Sequence, residues 1–184
     1  MLKKLRTLDA FVFRKISKLH SRTNNRIMKF ITTLGTGGLV WAILCIPMYF
    51  EGDNLDAILC IVLGVLVAWL VGEVTIKRIV GRVRPIEQLP KEEHIIKRPR
   101  HSSFPSGHTA SSFSVVAVAL VHLNFYWIIP IFIIASLISF SRIYLRVHYL
   151  TDVLAGVVVG MVCGFAAVGL FDSFTHNALG IYLP

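Results

Sequence analysis

Long apolar runs, broken by short polar punctuation, dominate this chain. Five of them, at about 28–50, 55–76, 107–123, 125–140 and 150–171, approach the roughly 20 residues that a bilayer-spanning helix needs. The pattern predicts an all-α integral membrane helical bundle of about five transmembrane helices, with no separable second domain. Ahead of the first run, Leu2, Leu5, Leu8, Val12, Ile16 and Leu19 recur at helical spacing among Lys and Arg. That spacing predicts an amphipathic helix lying on the membrane surface. The same stretch lacks a long apolar core and a small-residue cleavage site, so no removable signal peptide is expected. The expected organisation is a basic interfacial segment at 1–27, a transmembrane domain at 28–172 and a short C-terminal tail at 173–184.

Composition supports the membrane reading: 55% of the 184 residues are hydrophobic and 16% charged, and the mean hydropathy is +0.69. An ordinary soluble domain is excluded by these values. The net charge is +9, which in a soluble protein would suggest nucleic acid; here the lipid bilayer, through its anionic headgroups, is the expected partner and nucleic acid is not. With five spans, one membrane face receives 1–27, 77–106 and 141–149, and all 19 Lys and Arg lie on it or at its boundary. The other face carries Glu51, Asp53, Asp56 and Asp172 and no cation. The positive-inside rule would place the first face in the cytoplasm. Cys45, Cys60 and Cys163 fall inside the apolar runs, as small packing residues do. The sequence has no internal repeat and no zinc-type or calcium-type ligand spacing.

Three polar clusters converge on the cationic face. In "KRIVGRVRP", 77–85, Lys77 and Arg84 are seven apart; a helix continuing to Pro85 would put both on one side, able to grip a phosphate. Glu73, one turn before Lys77, is expected to pair with it. In "PSGH", 105–108, a helix N-terminus is expected. Unpaired backbone N–H groups and the helix dipole make such an end an anion site, Gly107 permits close approach, and His108 stands where it can protonate a leaving oxygen. In "SRIYLRVHYLTD", 141–152, His148 and Asp152 are four apart; a carboxylate on one imidazole nitrogen would leave the other free to attack phosphorus, and Arg142 adds a third cation. Each cluster alone is also what a snorkelling basic flank, a capped helix end or a surface pair would look like. Together they match the needs of phosphoryl transfer through a phosphohistidine.

These three motifs resemble those of the type 2 phosphatidic acid phosphatase, or lipid phosphate phosphatase, superfamily. The resemblance implies that Lys77, Arg84 and Arg142 bind phosphate, with Ser106 and Gly107 assisting. It implies His148 as nucleophile, Asp152 as its orienting partner and His108 as general acid. It further implies metal-independent hydrolysis of a membrane lipid phosphate, with no cofactor, by a multi-pass protein of the bacterial inner membrane. Many relatives have six spans; here the amphipathic segment stands in place of the first, as in small bacterial isoprenoid-diphosphate phosphatases. Undecaprenyl diphosphate is therefore the leading substrate, ahead of phosphatidylglycerophosphate or phosphatidic acid. Family analogy favours an extracytoplasmic site, against the charge distribution. A protein of another class, binding anionic lipid without chemistry, would lack His148, His108 or Asp152, and none is missing. The 86–103 loop reads as a mobile surface segment near the site, with Arg100 and His101 as candidates for a second phosphate.

Overall fold

A computed structural model describes residues 2–52, 54–99 and 101–179. Asp53, Arg100 and the last residues of the expected tail, 180–184, lie outside them. Helices α1 (Leu2–Ser17), α2 (Arg22–Leu34), α3 (Leu39–Phe50), α4 (Leu55–Trp69), α5 (Lys77–Val80), α6 (Gly107–His122), α7 (Phe125–Tyr144) and α8 (Leu150–Leu179) follow in order, with no strand among the described residues. The all-helical architecture is as the apolar pattern predicts.

Local chemistry sets the helix ends. The Ser21 side chain accepts from Asn24 N–H at 3.1 Å and starts α2, and Asn124 accepts from Tyr126 N–H at 3.1 Å to start α7. α2 therefore begins before residue 28, and α8 continues past residue 172, so neither expected boundary marks a break in the chain's structure. Between α2 and α3, Gly37 and Gly38 take φ of 63° and 75°, and the two helices bend by 55°. α4 runs through a π-helical segment, Leu70–Ile76, into α5. Gly81, at φ 57°, then ends α5 in the left-handed conformation. The helix does not continue to Arg84, and Lys77 and Arg84 do not share one helical face as the seven-residue spacing suggested.

Among the described residues, three stretches are long and apolar enough to cross a membrane: Leu55–Gln88, Phe125–Tyr144 and Leu150–Thr175. The bent α2–α3 pair makes a fourth if taken as one span. α6 has 16 residues, about 24 Å at the α-helical rise. It is buried on nearly every side among α4, α7 and α8, so its surroundings are protein more than lipid. Around it Trp41, Met48, Cys60, Ile61, Phe113, Ile131 and Ile138 form the main core. Phe50, Val62, Leu66, Phe132, Val158, Val162 and Phe165 are exposed on the perimeter, an apolar belt that only lipid would cover. The chain is a multi-pass membrane protein.

α8 approaches α6 through Gly156, Gly160 and Gly164, which meet the backbone carbonyls of Ser106, Ala110 and Ser114. Small residues at this spacing let two helix backbones approach closely. This contact brings the start of α6 beside the start of α8. The loop after Arg84 is not loose: Ile86 is fully buried and packs with Ile16 of α1, Tyr144, Leu145 and Val147. Ion pairs from Arg98 to Glu87 (2.6 Å) and Arg146 to Glu93 (3.0 Å) hold it further.

Candidate active site

Lys77, Arg84 and Arg142 are brought together from three parts of the chain, and all three are buried. Lys77 pairs with Glu73, as its spacing one turn away suggests. Arg84 is heavily committed. Its Nε donates to His101 O (2.8 Å), Nη2 to Ser102 O (3.0 Å) and Nη1 to Val147 O (2.9 Å). Arg142, in the last turn of α7, donates from Nη1 to Thr32 Oγ1. Its buried Nε has no hydrogen-bond partner among the described residues. A buried guanidinium N–H without an acceptor is costly, and an anion is what would satisfy it.

His148 lies in the turn between α7 and α8, 2% exposed. Its Nδ1 is 2.6 Å from Ser103 O, and its Nε2 is 3.2 Å from Arg84 Nη1. A carbonyl only accepts and a guanidinium only donates, so both contacts give the same tautomer. Nδ1 carries the hydrogen and the Nε2 lone pair faces the cations. Burial, with Arg142, Arg84 and Lys77 adding to it, holds this imidazole well below its ordinary value of 6.5.

Asp152 is close to His148 without bonding it, at 3.7 Å from Nδ1. α8 starts only at Leu150, so the pair do not share a helix face as their spacing implied. The Ser103 carbonyl holds Nδ1 instead. The Asp152 carboxylate accepts from Tyr149 N–H (2.8 Å) and Arg82 Nη1 (2.5 Å), while its backbone carbonyl accepts from Ser106 N–H (3.0 Å).

α6 begins at Gly107 with Ser106 as its cap residue, so Pro105 stands outside the first turn. Ser106 is fully buried, and its Oγ accepts from Thr109 Oγ1 at 2.9 Å. A Cβ at Gly107 would overlap the Glu73 carboxylate, so the α6 N-terminus already faces a negative group. His108 Nε2 is 3.3 Å from Thr36 Oγ1 in the bend between α2 and α3. A cavity of about 460 Å³ opens beside these groups, lined by Glu73, Gly107 and His108 on one side and by Val62, Val65, Leu66 and Trp69 on the other. A larger cavity of about 610 Å³ lies on the α1 side, against Asp9, Phe13, Arg82 and Tyr149. Only the former joins an apolar wall to the candidate acid and the α6 N-terminus.

The seven polar positions singled out in the sequence, Lys77, Arg84, Ser106, His108, Arg142, His148 and Asp152, thus line one region together with Gly107. Arg82, Ser103, Thr32, Thr36 and Asp9 were not singled out. Arg82 sits inside the first motif without belonging to its spacing. Asp9 is the only acidic residue before Glu51, on the face of α1 that carries Val12 and Ile16, and that isolation was the available signal.

Comparison with known proteins gives the family. The PAP2 superfamily profile matches residues 55–175, and the chain belongs to that family. It is a phosphatase of membrane lipid phosphates. The undecaprenyl-diphosphatase of Sulfolobus acidocaldarius is 28% identical over 158 residues, covering 85% of this chain and 75% of that protein. Phosphatidylglycerophosphatase B of Bacillus subtilis is 33% identical over 164 residues, covering 80% and 75%. The crystal structure of a transmembrane PAP2-type phosphatidylglycerolphosphate phosphatase from Bacillus subtilis superposes with a TM-score of 0.73 at 26% identity, over 95% of this chain and 89% of that one.

Proposed function

We propose that the protein removes the terminal phosphate of a lipid phosphate or diphosphate through a phosphohistidine on His148, without a metal. The observation that carries this is the pairing of a neutral, buried His148, its Nε2 free of hydrogen, with the buried and partnerless Arg142 Nε beside Lys77 and Arg84. The substrate phosphate settles among the three cations, with the Ser106–Gly107 start of α6 assisting. Nε2 attacks phosphorus, the bond from phosphorus to the leaving oxygen breaks, and His108 gives that oxygen its proton. Water then attacks the phosphohistidine, His108 takes the proton back, and inorganic phosphate leaves. Asp152 supports His148 through the surrounding turn. The lipid tail runs along the wall of Val62, Val65, Leu66 and Trp69.

Undecaprenyl diphosphate is the substrate we favour, by analogy with the undecaprenyl-diphosphatases among the relatives; a phosphatidylglycerophosphatase also stands among them, and phosphatidylglycerophosphate or phosphatidic acid is the alternative. In the bilayer, α2–α3, α4–α5, α6, α7 and α8 make five crossings, and α1 lies along the surface with Leu5, Leu8 and Phe11 facing lipid. The 1–27 segment, the 28–172 catalytic domain and the tail at 173–184 are the corresponding functional divisions. A bacterial inner-membrane location accompanies this reading, and labelling of Lys91→Cys by an impermeant thiol reagent in intact cells distinguishes an outward from a cytoplasmic site.

The test is phosphate release from undecaprenyl diphosphate and phosphatidylglycerophosphate, side by side, in detergent with excess EDTA. Release by the wild type and none by His148→Ala is expected. Release that requires added metal, or that survives in His148→Ala, contradicts the mechanism, and preference for the glycerolipid reassigns the substrate.

A further inference from the structure

Arg82 stands at the centre of a network that phosphate binding does not explain. Its Nη1 donates to Asp152 Oδ1 (2.5 Å) and Thr151 Oγ1 (2.7 Å), and its Nη2 donates to Asp9 Oδ2 (2.8 Å). Asp9 belongs to α1, far away in sequence, yet it also accepts from Thr151 N–H (3.0 Å) and Thr151 Oγ1 (2.8 Å). Both terminal nitrogens of Arg82 and all four carboxylate oxygens of Asp9 and Asp152 are engaged. Asp9 is 4% exposed and Asp152 fully buried, so two buried carboxylates share one guanidinium. The excess negative charge sits at the start of α8, where the helix dipole favours it.

The backbone of Arg82 holds the other side of the nucleophile. Its N–H donates to Ser102 Oγ (2.9 Å), and its carbonyl accepts from Ser103 N–H (2.9 Å). Ser103 in turn accepts the Nδ1 hydrogen of His148. Both groups nearest Nδ1, the Ser103 carbonyl and the Asp152 carboxylate, therefore hang from Arg82. The guanidinium also stacks on Tyr149, 4.1 Å from the ring centroid, which fixes its plane beside the residue next to His148.

We propose that Asp9 is a positioning residue for His148, acting through Arg82, so that seating of α1 against the bundle is a condition for catalysis; this rests on the reading of His148 as nucleophile. Asp9 touches no cation of the phosphate site other than through this chain of contacts. Its loss leaves a part-buried guanidinium, 28% exposed, with one carboxylate instead of two and frees the start of α8 to shift. A displaced nucleophile lowers turnover more than substrate affinity, because the three phosphate cations stay in place.

The experiment uses the full-length protein in detergent, with undecaprenyl diphosphate and phosphatidylglycerophosphate as probes. In Asp9→Asn, kcat is expected to fall about tenfold with KM within about twofold of wild type. In an Asp152→Asn background, Asp9→Asn is expected to add little further loss, since both act on one unit. Nitrogen-15 histidine spectra provide a readout without catalysis. The His148 Nδ1–H resonance, assigned by its disappearance in His148→Ala, is expected to shift in Asp9→Asn and to stay in place in Arg14→Gln, an exposed change on the same helix. An unshifted resonance, or a wild-type kcat in Asp9→Asn, overturns the proposal. Losses that multiply in full between Asp9→Asn and Asp152→Asn overturn it as well. If the wild type releases no phosphate, the functional reading falls, while the resonance still decides whether Asp9 positions His148.

Discussion

Replacing Gly156 by Ala tests whether the close contact of α6 and α8 sets the geometry of the site. A methyl at Gly156 would lie 2.8 Å from Ser106 O, 2.9 Å from Thr109 Cβ and 3.3 Å from Thr109 Cγ2. Two of these neighbours are rigid parts of α6 or its cap, and ordinary contact begins near 3.4 Å, so α6 must retreat by about half an ångström. Such overpacking costs about 1–3 kcal/mol. The retreat falls on Ser106, whose N–H holds Asp152 O at 3.0 Å and which is followed directly by Gly107 and His108. A misplacement of 1 Å can cost on the order of a hundredfold, so about a tenfold fall in kcat is expected for half that distance. Lipid phosphate release measures the rate, and denaturant unfolding in detergent measures stability. Gly169, on the same helix with nothing within 4 Å of a built Cβ, is the control. Gly169→Ala is expected to keep full activity and to gain up to about 1 kcal/mol from helix propensity. Wild-type rate and stability in Gly156→Ala, or equal damage in Gly169→Ala, would refute the reasoning.

Arg84→Lys is expected to be severe in spite of the kept charge, because a lysine cannot reach His101 O, Ser102 O and Val147 O together. Loss of two such bonds corresponds to about 3 kcal/mol of stability, read by unfolding, with a fall in kcat of tenfold or more. Asp152→Asn is expected to retain a small residual rate with KM near wild type, since Ser103 O still holds His148 Nδ1; full activity would remove Asp152 from the mechanism. A nitrogen-15 titration of His148 is expected to show a neutral ring at pH 6.5 and below, because its folded value is depressed. Inorganic phosphate, by offsetting the neighbouring cations, is expected to raise the midpoint; a midpoint at or above 6.5 in the free protein contradicts the burial argument. Below 6.5 the unfolded chain binds a proton that the folded ring does not, so this group's contribution to stability is full above 6.5 and declines as pH falls from there towards the folded value.

The helical class and the meeting of three motifs in one region could be read from apolar run lengths and from where the polar residues fall between them. Spacing alone misled at two points, both governed by helix ends. Their spacing puts Lys77 and Arg84 on one face of a continuous helix, but Gly81 takes φ 57° and stops α5 after Val80, and Arg84 reaches the site from an extended chain. The four-residue spacing puts His148 and Asp152 on one helix turn, but α8 starts between them, and a backbone carbonyl at Ser103 takes the imidazole N–H. A backbone carbonyl leaves no side-chain signature, so no motif could have shown it. The apolar run at α6 does not announce that the helix is central: its small residues, Ala110, Ser112, Ser114, Ala117 and Ala119, are buried among its neighbours. Asp9 was hidden by its setting, a lone acid in a basic amphipathic stretch whose pattern otherwise describes a helix on a surface.

The measurement closest to the central claim is chemical trapping of the intermediate. Wild-type protein mixed with a phosphate-labelled lipid substrate in EDTA and quenched within milliseconds should carry label that is lost in acid and kept in alkali, located on the peptide containing His148 and absent from His148→Ala. Label on another residue, or phosphate release with no labelled protein at any quench time, would contradict the account.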